Sequence, residues 1–175
     1  MTWYDSVFEL IDMRSFSNLW FWISLAVVWS TASHFVLGVP FDMVQRAARN
    51  GEQAAEDLET LVRINCNRIL YISQVSGLWI LGLSCAFLTI LGMLGFVYWI
   101  EFAQAVFLLA FPLSLVGLLS VVTANAIHTA ELTGTDLYKR LRLHRLFIQL
   151  IGVVAIFVTA MWGMYQNMTV GALGG

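Results

Sequence analysis

Charge is the scarcest ingredient of this chain. Only 11% of its 175 residues are Asp, Glu, Lys or Arg, against about a quarter in an ordinary soluble domain. That shortage excludes a globule coated in polar side chains, and the 59% hydrophobic content points to a membrane protein. Cysteine is rare too. Cys66 and Cys85 stand apart without CxxC spacing, which argues against a disulfide framework or a thiolate metal site. No carboxylate falls well inside an apolar run, since Glu101 and Glu131 sit at the edges. A proton-driven transporter normally needs a buried ionisable group, and His34 alone qualifies. HExxH, GxSxG, a glycine-rich phosphate loop and an acidic metal-binding cluster are all missing, so no catalytic residue is expected and an enzyme has no visible chemistry. The opening residues are acidic and amphipathic, not a basic start before an apolar centre, so no cleavable signal peptide is expected.

What is present is long apolar sequence. A hydrocarbon core of about 30 Å takes roughly 20 helical residues to cross, and four runs are long enough, near 18–39, 76–99, 102–126 and 146–165. No segment between them is large enough to fold as a separate soluble domain. The fold class expected is all-α: an integral membrane four-helix bundle forming one domain over 1–175, with an extended cytoplasmic helical hairpin. A short N-terminal interfacial helix is expected over 3–13, where Tyr4, Val7, Phe8 and Ile11 repeat at helical spacing opposite Asp5, Glu9 and Asp12. Pro40 should end the first span and Pro112 should bend the third, because proline removes a ladder hydrogen bond. The second helix should run unbroken from about Glu52 to Trp99, longer than a bilayer requires. The tight hairpin at 98–102 then makes the second and third spans antiparallel neighbours.

Basic residues set the expected orientation. Arg46, Arg49, Arg63 and Arg68 lie between the first two runs, and Lys139, Arg140, Arg142 and Arg145 between the last two. Eight of the nine Lys and Arg residues thus share one side, with Arg14 the exception. That side should be the cytoplasm of a bacterial inner membrane, leaving both termini periplasmic. Trp3, Trp20, Trp22, Trp99 and Trp162 would form an outer aromatic belt. The segment LYKRLRLHR should lie on the anionic inner leaflet through Lys139, Arg140, Arg142 and Arg145, at about 1 kcal/mol per basic residue, with His144 solvated among them.

The stretch RINCNRILYISQVSG places Arg63, Asn67, Tyr71, Gln74 and Gly77 on one helix face. Glu59 and Arg63 form an i,i+4 pair in the favourable order. Gln74 and Ala126 are each 26 residues from Ile100, about 39 Å at 1.5 Å per residue. That equality predicts a polar cluster at the cytoplasmic mouth of the bundle, made of His34, Asn67, Tyr71, Gln74, Asn125 and His128. Three readings fit such a cluster: helix ends satisfying one another, a mouth for an ion or small polar solute in an oligomer, or His34 and His128 as ligands for haem, pigment or metal. No cofactor or metal is otherwise expected. Small residues at Ala26, Ser30 and Ser33, and at Ala110, Ser114, Gly117 and Ala124, mark faces suited to close helix packing.

The arrangement of SFSNLWFW, ASHFVLGVPFDMV, DLETLVRINCNRILYISQVSGLW and EFAQAVFLLAFPLSLVGLL resembles a family of small alphaproteobacterial membrane proteins, carried in genomes under the name "component of the SufBCD complex". The resemblance covers nearly the whole chain. It implies a four-span inner-membrane protein with no established activity, and no catalytic residues follow from it. Its name implies a link to iron–sulfur assembly, although this chain has no cysteine ligand set and no ATPase loop. The function expected is that of a non-enzymatic inner-membrane accessory or assembly subunit. It would associate through helix faces with its own copies (a homo-oligomer) or with a larger membrane complex, in contact with membrane lipids and without nucleic acid. The alternative is a homo-oligomeric ion channel or small-solute transporter with a polar cytoplasmic mouth.

Overall fold

A computed structural model describes residues 15–49 and 51–173, with side chains to residue 168. The interfacial helix expected over 3–13 lies outside the described residues. A 3₁₀ turn at Ser15–Ser17 leads into α1, Leu19–His34. The Asn18 side chain caps α1 by accepting the Trp20 N–H at 3.0 Å, which satisfies one of the donors left free at a helix start. A two-residue hairpin follows, β1 (Phe35–Val36) against β2 (Val39–Pro40), with Phe35 opposite Pro40 and Val36 opposite Val39. Then come α2 (Phe41–Ala47), α3 (Glu52–Gly92, continued by a π-helical turn at Met93–Val97), α4 (Glu101–Thr129) and α5 (Gly134–Leu173).

The first apolar run departs from expectation. Its helix stops at His34, six residues before Pro40. Sixteen residues of helix reach only about 24 Å. Proline is not what ends it. Leu37 and Gly38 take positive φ, 51° and 75°, the backbone of a tight primed hairpin turn, and the reversal buries Val36, Leu37 and Val39 almost completely. Burying three apolar side chains at about 1.5–3 kcal/mol each outweighs the few hydrogen bonds that a longer helix would add. Among the described residues, three helices are long and apolar enough to cross a membrane: Glu52–Val97, Glu101–Thr129 and Gly134–Met168.

α3, α4 and α5 form an antiparallel up-and-down series in which α4 packs against both neighbours. α1 runs antiparallel to α5, with Ser17 beside Asn167 at one end and Ser33 beside Arg145 at the other. It docks where α5 is narrowest. A Cβ on Gly152 would stand 2.8 Å from Cε3 of Trp29, so glycine there lets the indole pack close against the α5 backbone. Leu25, Trp29 and Ala155 are buried in this contact, with Leu109 and Leu113 of α4 closing it.

The densest core lies elsewhere. At the end rich in basic residues, the β1–β2 hairpin and α2 pack on Leu58, Val62 and Cys66 of α3, Ala124 and Ile127 of α4, and Leu137 and Leu141 of α5. The apolar stretches are, by contrast, mostly uncovered: Leu78 is 86% exposed and Trp79 76%. α4 stays continuous through Pro112, which is buried inside it.

Gly152→Ala should force the Trp29 ring off α5 and destabilise the fold by about 1–3 kcal/mol, the usual cost of overpacking. In a Trp29→Leu background the same substitution should cost measurably less, because the two residues couple directly. Thermal unfolding in mild detergent, followed by the remaining tryptophan fluorescence, measures both.

Candidate functional site

Two buried polar contacts join α4 to α5. Near the hairpin end, the Gln104 side chain is fully buried. Its Nε2 donates to the Gly95 carbonyl of the π turn at 2.8 Å, and its Oε1 accepts from Trp162 Nε1 at 2.9 Å and from Gln166 Nε2 at 2.5 Å. Gly95 is what permits this approach, since a Cβ there would lie 3.0 Å from both the Gln104 backbone nitrogen and its Cγ. Beside it, the Glu101 carboxylate accepts the Phe16 N–H at 2.7 Å and draws the start of α1 onto α4. Near the basic end, Thr123 Oγ1 shares a 2.9 Å hydrogen bond with His144 Nδ1, both side chains being buried.

The spacing of these contacts matters. Gln104 and Thr123 stand nineteen residues apart on α4, about 28 Å along the axis. Trp162 and His144 stand eighteen apart on α5, about 27 Å. Each interval is close to the thickness of a hydrocarbon core, about 30 Å.

His144 corrects an expectation. A solvated side chain was expected from the run of basic neighbours, yet the residue is 2% exposed. Leu137, Leu141, His144, Ile148, Gly152 and Ala155 form one buried face of α5 at three- and four-residue spacing, and that period was the overlooked signal. His144 Nε2 and Trp29 Nε1 are buried and meet no hydrogen-bond partner among the described residues.

The expected polar mouth is only partly assembled. Asn67 and His128 do face a common cleft of about 600 Å³ between α3, α4 and the start of α5, together with Glu56, Glu59, Arg63 and Glu131. Tyr71, Gln74 and Asn125 are exposed and do not line it. His34 is exposed at the end of α1, its ring edge-on to Phe35 at 5.0 Å, and does not reach the cleft that His128 faces. One axial pair of histidines on a haem or pigment is therefore not brought together. Depth along a helix does not fix rotation about its axis, and Tyr71, Gln74 and Asn125 lie exposed outside the cleft. The Glu59–Arg63 pair does not form either. Glu59 Oε1 instead accepts the Gly134 N–H at 2.7 Å and caps the start of α5.

Cys66 forms part of the cleft wall and is buried in the core behind it. It lies ten residues ahead of the apolar stretch that begins at Ser76, and burial pushes its thiol up to about 11, far from the thiolate that nucleophilic or metal-binding chemistry requires. Cys85 is exposed on α3. Among the described residues, no group of three or more His, Cys, Asp and Glu side chains is placed to hold a metal ion.

The basic run is split by the helix. Lys139, Arg142 and Arg145 line a cleft of about 490 Å³ with Phe41, Leu143, Leu146 and Gln149, whereas Arg140 lies outside it. Compared with family profiles, with curated proteins and with solved structures, the chain matches none.

Thr123→Val should strand the buried His144 Nδ1 and cost about 1–3 kcal/mol. Adding His144→Leu should recover much of that loss, because removing both partners of a buried hydrogen bond is far cheaper than removing one. Gln104→Leu should cost at least as much as Thr123→Val, since it strands both the Gly95 carbonyl and the Trp162 N–H. Denaturation in mixed micelles ranks the three variants.

Proposed function

We propose that this chain is a non-enzymatic, membrane-integral accessory or assembly subunit that associates through the uncovered face of α3. The observation that carries this reading is the state of α3 between Tyr71 and Thr89. Gln74, Gly82, Cys85, Ala86 and Thr89 are all exposed there, and a Cβ on Gly82 would meet nothing within 4 Å. In lipid, Leu gains nothing by leaving the hydrocarbon, so helices associate through small residues that let backbones approach. An unpartnered glycine within a helix costs about 1 kcal/mol relative to alanine, and it is useful where another helix lies against it. Gly82–Ala86 and Cys85–Thr89 are both at small-xxx-small spacing.

Membrane insertion itself is supported by burial turned outward. Monomeric soluble proteins rarely expose apolar patches beyond a few hundred Å², and the apolar stretches of α3, α4 and α5 are largely uncovered. The two buried polar contacts one hydrocarbon thickness apart agree with it. The position of Arg46, Arg49, Arg63, Arg68 and the Lys139–Arg145 run supports a cytoplasmic basic end in a bacterial inner membrane, with both termini periplasmic. With α1 as a fourth, shorter membrane helix beside α5, the bundle has four helices. A channel has less in its favour. The Thr89 hydroxyl, exposed on this face of α3, already donates to the Cys85 carbonyl at 2.8 Å, and Gln74 and Asn125 do not line the cleft that Asn67 and His128 face.

The chain should stay in membranes washed at alkaline pH. In a Cys66→Ser background, mild oxidation should link two copies through Cys85, or else gentle extraction should bring down a stoichiometric membrane partner. A component of the iron–sulfur assembly machinery is the partner that the family resemblance points to. Recovery of only uncrosslinked, partner-free monomer would overturn the association reading, and release by the alkaline wash would overturn the membrane reading.

A further inference from the structure

We propose that the cleft between α2 and α5 binds the phosphate headgroup of one anionic phospholipid. The inference rests on the membrane reading above, and it replaces a diffuse basic surface with a built site. Three cationic side chains, Lys139, Arg142 and Arg145, converge on the cleft, and no carboxylate lines it. Lys139 is engaged with Asp136 at 3.0 Å, but both side chains are largely exposed, and such pairs exchange readily in water. Arg142 has no ion pair among the described residues.

Arg145 is the preorganised member. Its Nε donates to the Ser33 carbonyl at the end of α1 at 3.2 Å, and its guanidinium lies 3.9 Å over the Phe41 ring. Those two contacts fix the plane of the guanidinium, and neither engages its terminal N–H groups. A fixed planar fork of this kind suits a phosphate oxygen pair. The site thus depends on α1, α2 and α5 together.

Depth and apolar lining select a phospholipid over a free anion. His144, next in the chain to Arg145, belongs to the polar layer about one hydrocarbon thickness from the Gln104 layer, so the cleft opens where inner-leaflet headgroups lie. From its floor, Leu143, Leu146 and Leu150 continue along α5 at helical spacing toward the hairpin end, each 41–53% exposed. An acyl chain attached to a phosphate in the cleft would lie on that stripe. Arg140, one turn before His144 and outside the cleft, serves as the internal control: diffuse attraction to an anionic surface would use it equally.

The test uses the full chain extracted in mild detergent, delipidated, and titrated with dioleoyl phosphatidylglycerol, dioleoyl phosphatidylcholine or sodium phosphate, with retained adducts read by native mass spectrometry. Phosphatidylglycerol should be retained over phosphatidylcholine by roughly tenfold, the worth of one to two engaged basic residues. Arg142→Gln, which disturbs neither the Ser33 nor the Phe41 contact, should abolish most of that preference, and Arg140→Gln should leave it intact. Equal retention of the two lipids overturns the proposal, as does an equal effect of the two substitutions. Displacement of phosphatidylglycerol by equimolar phosphate would overturn the lipid in favour of a free anion. A chain that resists alkaline extraction but shows no headgroup preference overturns the cleft alone and leaves the membrane reading standing.

Discussion

The fixed point of this structure is the buried amide of Gln104. An unpaired amide in an apolar interior costs several kcal/mol, so once this side chain is buried its neighbours have to supply partners. Gly95 supplies a carbonyl, Trp162 and Gln166 supply N–H groups, and these three residues lie on the two helices either side of α4. One side chain therefore sets where α3 and α5 stand relative to α4. The π turn at Met93–Val97 follows from this demand. Widening the last turn of α3 brings the Gly95 carbonyl and its bare Cα against the Gln104 backbone, an approach that any side chain at that position would obstruct.

A single clamp would leave α4 and α5 free to slide or splay at the far end. The Thr123–His144 bond removes that freedom, and the dense core around Leu58, Val62, Ala124 and Leu141 holds the same end in three dimensions. Apolar contacts alone are non-directional and would tolerate a register shift of a turn. The two polar contacts would not, because a shift would leave each donor and acceptor buried without its partner.

How much of this was legible in the sequence follows from the same physics. Helix type was legible for the three long helices because long apolar runs fix it, and the expected second helix from Glu52 matches the start of α3. Its unbroken run to Trp99 was not borne out, since a π turn replaces the α-helix after Gly92, and α5 begins at Gly134, ahead of the apolar run expected over 146–165. The end of the first helix was not, because the Leu37–Gly38 reversal is decided by burial against α3, α4 and α5, which no local pattern reports. Counting residues from the Tyr98–Ile100 hairpin suggested which parts of α3 and α4 are neighbours, and Asn67 and His128 do line one cleft. It said nothing about rotation around each helix axis, and Gln74 and Asn125 turned outward. The charged neighbours of His144 suggest a solvated side chain, but its place in the buried 137–141–144–148 stripe decides its position. Gln104 carried no local mark at all, being one glutamine in an apolar helix whose partners lie up to 62 residues away.

The distribution of packing also bears on what α3 is for. It is secured to α4 at both ends, by the Gly95–Gln104 approach at one and by Leu58, Val62 and Cys66 at the other. Between these anchors its apolar stretch is largely uncovered. In water such a stretch would collapse onto the bundle. In lipid that drive is absent, and a helix anchored at two points can keep its intervening face open without losing its position. On the proposed association, anchoring at two points with an open face would lower the cost of docking a second helix, because the docking surface would be ordered before a partner arrived. The over-long basic-end half of α3 extends the same rigid rod beyond the apolar zone, so a partner meeting the Gly82–Thr89 face would find Arg63 and Asn67 held in a fixed relation to it.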